Sequence, residues 1–276
     1  MQVARPWNPP AGPLGRLSSA SAARAARARE STPFDEQVAE ALAMPAANDI
    51  LAALTSRTDV AVIAELKRAS PSKGAINSAL DATAQVRAYA HGGATAFSIL
   101  TEPSEFGGSV DDLCVAAALG VGPCIRKDFI TDTIQLVEAR RAGAAAALLI
   151  ARALPSETLV ELVFFARMLG IEPFVEVRDE EELADALSTG ALLIGVNNRN
   201  LETLELDPIA SERLLPLIPV THLAIYESGI QSRADVERAA ELGADAVLVG
   251  SSVSASAAPS AAVAALTGVT RKRRRA

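Results

Sequence analysis

From residue 60 to residue 250 the chain repeats one unit: a short apolar run, a polar turn, then an amphipathic stretch. The runs are VAVIAEL (60–66), ATAFSIL (94–100), PCIRK (123–127), AAAALLI (144–150), EPFVEV (172–177), ALLIGV (191–196), HLAIYE (222–227) and DAVLVG (245–250). Their starts lie roughly 20 to 35 residues apart, room for a strand, a loop and a helix each. The runs are continuously apolar rather than alternating, as expected when both sheet faces are covered. Residues 131–142, 179–187 and 232–243 carry the helical period, open on an acid or serine able to cap, and end near glycine. Eight such units predict an α/β fold, a single (β/α)8 TIM barrel, and 276 residues suffice for one. A doubly wound open sheet is the alternative. No GxGxxG follows the first run, which weighs against a dinucleotide-binding version of it.

The two chain ends read differently. The first 29 residues hold five arginines and no acid, with many alanines and serines. That composition resembles a transit peptide, but Pro9, Pro10 and Pro13 break the helix such a peptide needs. Residues 1–33 are therefore expected to form a flexible leader. Residues from about 33 to 59 are helical in character and are expected as an N-terminal extension covering one barrel mouth, so that 34–268 hold barrel and helices together. The basic run from Arg271 to Arg275 is expected as a solvated tail within 269–276. A net charge of −7 argues against a nucleic-acid partner. Two cysteines, Cys114 and Cys124, and two histidines support neither a disulfide framework nor a His/Cys metal site. No apolar run reaches transmembrane length without a breaker, so a cytoplasmic chain without a membrane partner is expected, as a monomer or weak homo-oligomer.

Charge inside an apolar strand is expensive unless paired or in use. In AELKRASPSKG (64–74), Glu65 and Lys67 stand two residues apart and share one strand face. The other run ends carry Thr101 and Glu102, Lys127, Glu176 and Arg178, Asn197 and Arg199, Glu227 and Ser228, and Gly250 and Ser251. In a barrel of this kind the chemistry sits at these carboxyl ends. A ring of salt bridges that only ties the mouth together is the bland alternative, and it leaves Asn197, Ser228 and two glycine turns without a use. Glu227-Ser228-Gly229-Ile230 and Gly250-Ser251-Ser252 follow the last two runs. Glycine lets backbone amides approach a ligand closely, and amides with hydroxyls at these two strand ends form the usual barrel phosphate site. The expected partner is a phosphorylated small molecule.

The blocks IAELKRASPSKG (63–74), SILTEPSEFGGS (98–109), IRKDFITDTIQLVEARRAGA (125–144), FVEVRDEEEL (174–183), IGVNNRNLETLELD (194–207), ESGI (227–230) and GADAVLVGSS (243–252) resemble, in order and spacing, the indole-3-glycerol phosphate synthase family. The match covers roughly residues 60 to 252. Tyr226 departs from it, where the family usually has a small residue, and so does Ser-Ser-Val-Ser-Ala-Ser after Gly250, where a Leu-Met or similar pair is expected.

The resemblance implies a carboxy-lyase that takes 1-(2-carboxyphenylamino)-1-deoxyribulose 5-phosphate, closes a five-membered ring, releases carbon dioxide and then loses water, with no cofactor and no metal. It also implies roles. Negative charge builds on the ketone oxygen during closure, and Lys127, set among apolar strand residues, is expected to have a lowered pKa and donate a proton there. Lys67 is the second candidate acid, Glu176 the base for dehydration, and Glu65 the partner of Lys67 or Lys127. Asn197 is expected to position a hydroxyl, Arg199 to hold a carboxylate in a fork, and Glu227 to contact substrate. Ser70, Ser228, Gly229, Gly250 and Ser251 are expected around the phosphate. Phe106 and Phe129 either flank the anthranilate ring or are ordinary core aromatics. Arg68, Arg126 and Arg178 read as rim or helix-facing charges.

Two other readings stay open at this level. A sugar-phosphate isomerase on the same barrel would share the phosphate site but normally needs an acid/base pair, often Asp or Cys, at early and middle strand ends. A non-catalytic barrel would be expected to lack Lys67, Lys127 or Glu176.

Overall fold

The computed structural model describes residues 8–274, so residues 1–7 of the expected leader and 275–276 of the expected tail lie outside the described residues. Each of the eight apolar runs is a strand: β1 Ala61–Leu66, β2 Ala96–Leu100, β3 Cys124–Lys127, β4 Ala146–Ile150, β5 Glu172–Val177, β6 Leu193–Asn197, β7 Leu223–Glu227 and β8 Ala246–Val249. They pair in parallel with their sequence neighbours, and β8 pairs back with β1 to close the barrel. Side chains on both faces are buried, which is why the runs show no alternation. A two-stranded hairpin, Ala69–Ser70 with Gly74–Ala75, occupies the loop after β1.

The register sets the chemistry. Glu65 lies beside Ser98, Glu176 beside Gly195, and Asn197 beside Glu227. The polar residues of neighbouring strands therefore come level at the carboxyl end.

Helices α1 Gly12–Ser31, α2 Phe34–Ala43 and α3 Ile50–Thr55 precede the barrel, and α4 Ala82–His91, α5 Val110–Ala118, α6 Thr133–Arg141, α7 Ser156–Met168, α8 Glu180–Ser188, α9 Ile209–Leu214, α10 Arg233–Glu241, α11 Ser251–Ser254 and α12 Pro259–Ala264 follow β1 in order. The helices predicted around 131–142, 179–187 and 232–243 form with the expected caps. Asp132 and Ser232 each close a capping box, and Asp179 accepts the amide of Glu182.

The flexible-leader expectation fails for residues 12–31. They form α1, and its Leu14, Leu17, Ser18, Ser21 and Ala25 are buried. Pro13 does not break this helix because it sits in the first turn, where a missing N–H costs nothing. Gly12 adopts a left-handed φ of 65°, and a Cβ there would collide with the Glu202 carbonyl, so glycine permits the close approach of α1 to the loop after β6. That approach is fixed by the Leu14 amide donating to the Leu201 carbonyl at 3.0 Å. The extension thus serves both ends of the barrel. α1 lies over the carboxyl mouth, α2 packs against α6, and α3 lies at the amino end near Ile171 and Glu172.

The solvated-tail expectation fails for Arg271 and Arg274, while Lys272 and Arg273 are exposed. The amide of Val60 donates to Val269 and that of Arg271 to Thr58, which brings the chain end back along the entry to β1. The Arg274 side chain is 4 % exposed and donates to the carbonyls of Ile218, Gly243 and His222 and to Asp245.

Candidate active site

At the carboxyl mouth lies a cavity of about 740 Å³, its open rim included. Lys67, Lys127, Phe106, Phe129, Asn197 and Arg199 line it among others, and Pro13, Leu17, Leu201 and Leu204 give it an apolar side. The last four come from α1 and the loop after β6, and sequence reasoning missed all of them. Such apolar lining with a few convergent polar groups is what an organic ligand needs.

Lys127, at the end of β3, reaches across the barrel. Its Nζ donates to Glu176 Oε2 at 2.8 Å and stands 3.2 Å from Glu227 Oε2. Burial by itself would lower the lysine pKa, but Glu176, Glu227 and Glu65 outweigh it and raise the value above the ordinary lysine range. The expectation of a lowered pKa is thus reversed, because one ammonium faces several carboxylates. Glu227 responds the other way. Burial pushes its carboxyl up to about 8, more than Lys127 pulls it down, and Glu176 and Glu65 add to the rise. Its Oε1 has no hydrogen-bond partner. Three carboxyl groups serve two lysines here, and Glu227 is the one left with an oxygen that has no hydrogen-bond partner.

The second lysine pairs more simply. Lys67 Nζ lies 3.1 Å from Glu65 Oε1, and Ser98 Oγ donates to Glu65 Oε2 at 3.4 Å. The ammonium also sits 5.5 Å from the centre of the Phe106 ring, whose own neighbour is Phe129 at 6.0 Å. Both rings line the cavity, and Phe129 is at the same time part of the buried core against which Phe106 packs.

Two glycines make room for the carboxylates. A Cβ at Gly195 would overlap Glu227 Oε1 and the Phe174 ring, and one at Gly250 would overlap Glu65 Oε1. Gly195 was overlooked in the sequence, although a glycine inside an apolar strand signals close approach. Asn197 Oδ1 accepts from Ser228 Oγ at 2.8 Å and from the Arg199 amide at 2.9 Å. Ser228 has a left-handed φ of 68°, an uncommon conformation for a residue with a side chain. Arg199 donates to the Leu204 carbonyl at 2.7 Å, and burial lowers its pKa.

Ser70 and Ser228 line the cavity, whereas Gly229, Gly250 and Ser251 do not. Gly250 stands directly behind the Glu65 carboxylate. Glu176 faces a smaller adjoining hollow that shares Asn197, Arg199 and Leu201 with the main cavity. Arg68 forks onto Asp112, Arg126 is buried against Thr101, Gln135 and Asp128, and Arg178 pairs with Asp207, so none of the three enters the cavity.

Fold and site together define a (β/α)8 barrel with paired lysines and carboxyl groups enclosed at the carboxyl ends of its strands, where enzymes on this fold keep their active sites. The profile of the indole-3-glycerol phosphate synthase family matches residues 14–266. The chain belongs to that family. It is 46 % identical over 232 residues to the indole-3-glycerol phosphate synthase of Streptomyces griseus, covering 84 % of this chain and 86 % of that protein. It is 50 % identical over 208 residues to that of Kineococcus radiotolerans, covering 75 % and 76 %. Among solved structures, 3-hexulose-6-phosphate synthase from Salmonella typhimurium superposes with a TM-score of 0.61 at 16 % identity, covering 75 % of this chain and 96 % of that one, a likeness of fold alone. The family match begins inside α1, a region that the blocks read from the sequence did not reach.

Proposed function

We propose that this enzyme carries out the family reaction of tryptophan biosynthesis with Lys127 and Glu176 as its acid and base. It is a carboxy-lyase that converts 1-(2-carboxyphenylamino)-1-deoxyribulose 5-phosphate to indole-3-glycerol phosphate. As the aromatic carbon attacks the ketone, negative charge grows on the ketone oxygen. Lys127 is held as an ammonium by the carboxyl groups around it, so a positive charge and a proton are in place when that oxygen becomes basic. Glu176, in contact with the same Nζ, takes the ring proton during dehydration. Lys67, oriented by Glu65, is the second cation and serves the substrate's anionic groups or the later proton transfer.

Asn197 positions a substrate hydroxyl, Arg199 the carboxylate, and Glu227 a hydroxyl or amine. Phe106 and Phe129 flank the anthranilate ring. The phosphate lies against Ser70 and Ser228, with the backbone of Gly229, Gly250 and Ser251 behind them. We read the chain as cytoplasmic, a monomer or weak homo-oligomer without nucleic-acid or membrane partners. No described helix is long and apolar enough to cross a membrane, and Arg271, Lys272 and Arg274 of the basic tail are engaged with Asp245 and Glu241.

The observation that carries the reading is the Lys127 ammonium between two buried carboxyl groups, beside a cavity walled by two phenylalanine rings. Purified protein mixed with the substrate should develop indole fluorescence. A steady baseline with intact, folded enzyme would remove the proposal and leave the isomerase or binding readings.

A further inference from the structure

We propose that Arg24, on α1 and outside the cavity wall, is a positioning residue for this reaction, setting the Phe106–Phe129 walls and the turn after Lys127. The inference rests on the synthase reading. Arg24 Nη2 donates to Asp128 Oδ1 at 2.8 Å, and Nη1 lies 3.6 Å from Glu102 Oε1. Both acid side chains are fully buried, while Arg24 is a quarter exposed.

Each acid organises one wall. Glu102 accepts the amides of Ser104, Glu105 and Phe106 and the hydroxyl of Ser104, which folds the loop carrying Phe106 around one carboxylate. Asp128 directly follows Lys127. It accepts the Phe129 amide at 2.8 Å and the Thr101 hydroxyl at 2.7 Å, and Arg126 lies 3.3 Å from its other face. Among the described residues, Arg24 is the one cation that reaches both acids. Among the described residues Glu102 has no other cationic partner, so without Arg24 it stays buried against amide and hydroxyl donors alone. A buried acid in that position recruits water or shifts, and the loop wrapped on it moves with it. Arg24 itself is held by Ser21 Oγ, which also accepts from Gln135 on α6. Its position is therefore set by the seating of α1 on the barrel, and α1 contributes to substrate binding through this arginine.

The test is steady-state kinetics of Arg24→Ala and Arg24→Lys, with Arg16→Ala as control. Arg16 is on the same helix and pairs with Glu105 of the same loop, but at the surface. The expected result for Arg24→Ala is a KM raised about tenfold with kcat reduced less than threefold, because the walls and not the proton-transfer groups are displaced. Arg24→Lys should recover part of the loss, since a single ammonium can serve one acid but cannot fork across two. Arg16→Ala should stay within twofold. Binding of the substrate reduced at its ketone, which cannot cyclise, should weaken by the same factor as KM rises. A lowered melting temperature with KM and analogue affinity both unchanged would overturn the proposal and leave a purely structural bridge. If Arg24→Ala does not fold, Arg24→Lys decides, and wild-type KM in that variant counts against us. Failure of the wild type to make indole would instead strike the synthase reading.

Discussion

At the amino end of the barrel Asp245 is buried with both carboxylate oxygens occupied, whereas at the carboxyl end Glu227 is buried as deeply with one oxygen unpartnered. Asp245 accepts the Ala224 amide at 2.7 Å and Arg274 Nη1 at 2.8 Å on Oδ2, and Arg271 closes on Oδ1. Glu227 shares one ammonium with Glu176 and faces a cavity. Both are buried acids near cations, yet one network is closed and the other is left short of a partner beside open space. A closed network ties chain segments together. An open one stores the unmet interactions that a substrate and a moving proton can use.

The largest effect should come from breaking the open end at its centre. Lys127→Met should lower kcat about 10³-fold, on the scale of a lost general acid and of ~4 kcal/mol in barrier. The variant should still fold, since its two glutamates can be protonated in the absence of the ammonium. Indole emission in single-turnover mixing measures it, and near-normal turnover would take Lys127 out of the acid's place. The matching cut at the closed end is Asp245→Ala. It leaves Arg274 without its carboxylate and should cost about 3 kcal/mol of stability in urea titration, with kcat and KM within twofold of wild type below the transition. A loss of activity per folded molecule in that variant would blur the distinction between the two ends. Next in size is Glu176→Gln, which should slow dehydration about 10²-fold while ring closure proceeds, so that the cyclised, decarboxylated intermediate accumulates. Equal slowing of both steps would mean that Glu176 acts mainly by holding Lys127.

The same contrast separates what the sequence shows from what it hides. The strands were legible because burial on both faces leaves an apolar run, and Glu65, Lys67, Lys127 and Glu176 stood out as charges set in those runs. α1 was not legible: its buried stripe is Leu14, Leu17, Ser18, Ser21 and Ala25, and small polar residues give a weak periodic signal. The arginines on its other side then read as a transit-like composition. Arg271 and Arg274 of the tail were misread for a related reason. A terminal arginine run is usually solvated, and nothing local says that Asp245, twenty-nine residues upstream of Arg274, is buried and in need of a cation. The sign of the Lys127 shift was hidden too. It depends on how many carboxylates other strands bring to one point, and that number exists only after the barrel closes.

The smallest expected effect is a slope with pH, and it tests the open end without removing a charge partner from the closed one. Burial pushes the Glu227 carboxyl up to about 8 in the folded protein, against about 4.5 for a glutamate in the unfolded chain. Between those values the folded state holds a proton that the unfolded state has released. Stability contributed by that proton is therefore present at low pH and is lost as pH rises toward 8, by at most one proton's worth, ~1.4 kcal/mol per pH unit. Lys127 does not add to this window, because its own value is raised above the lysine range and it stays charged in both states. Glu227→Gln fixes the neutral form. Its urea midpoint should match wild type near pH 5 and exceed it increasingly up to pH 8. Parallel curves for wild type and Glu227→Gln would mean that Glu227 is ionised at neutrality, and the lysine cluster would then carry net negative charge toward a substrate that is itself an anion.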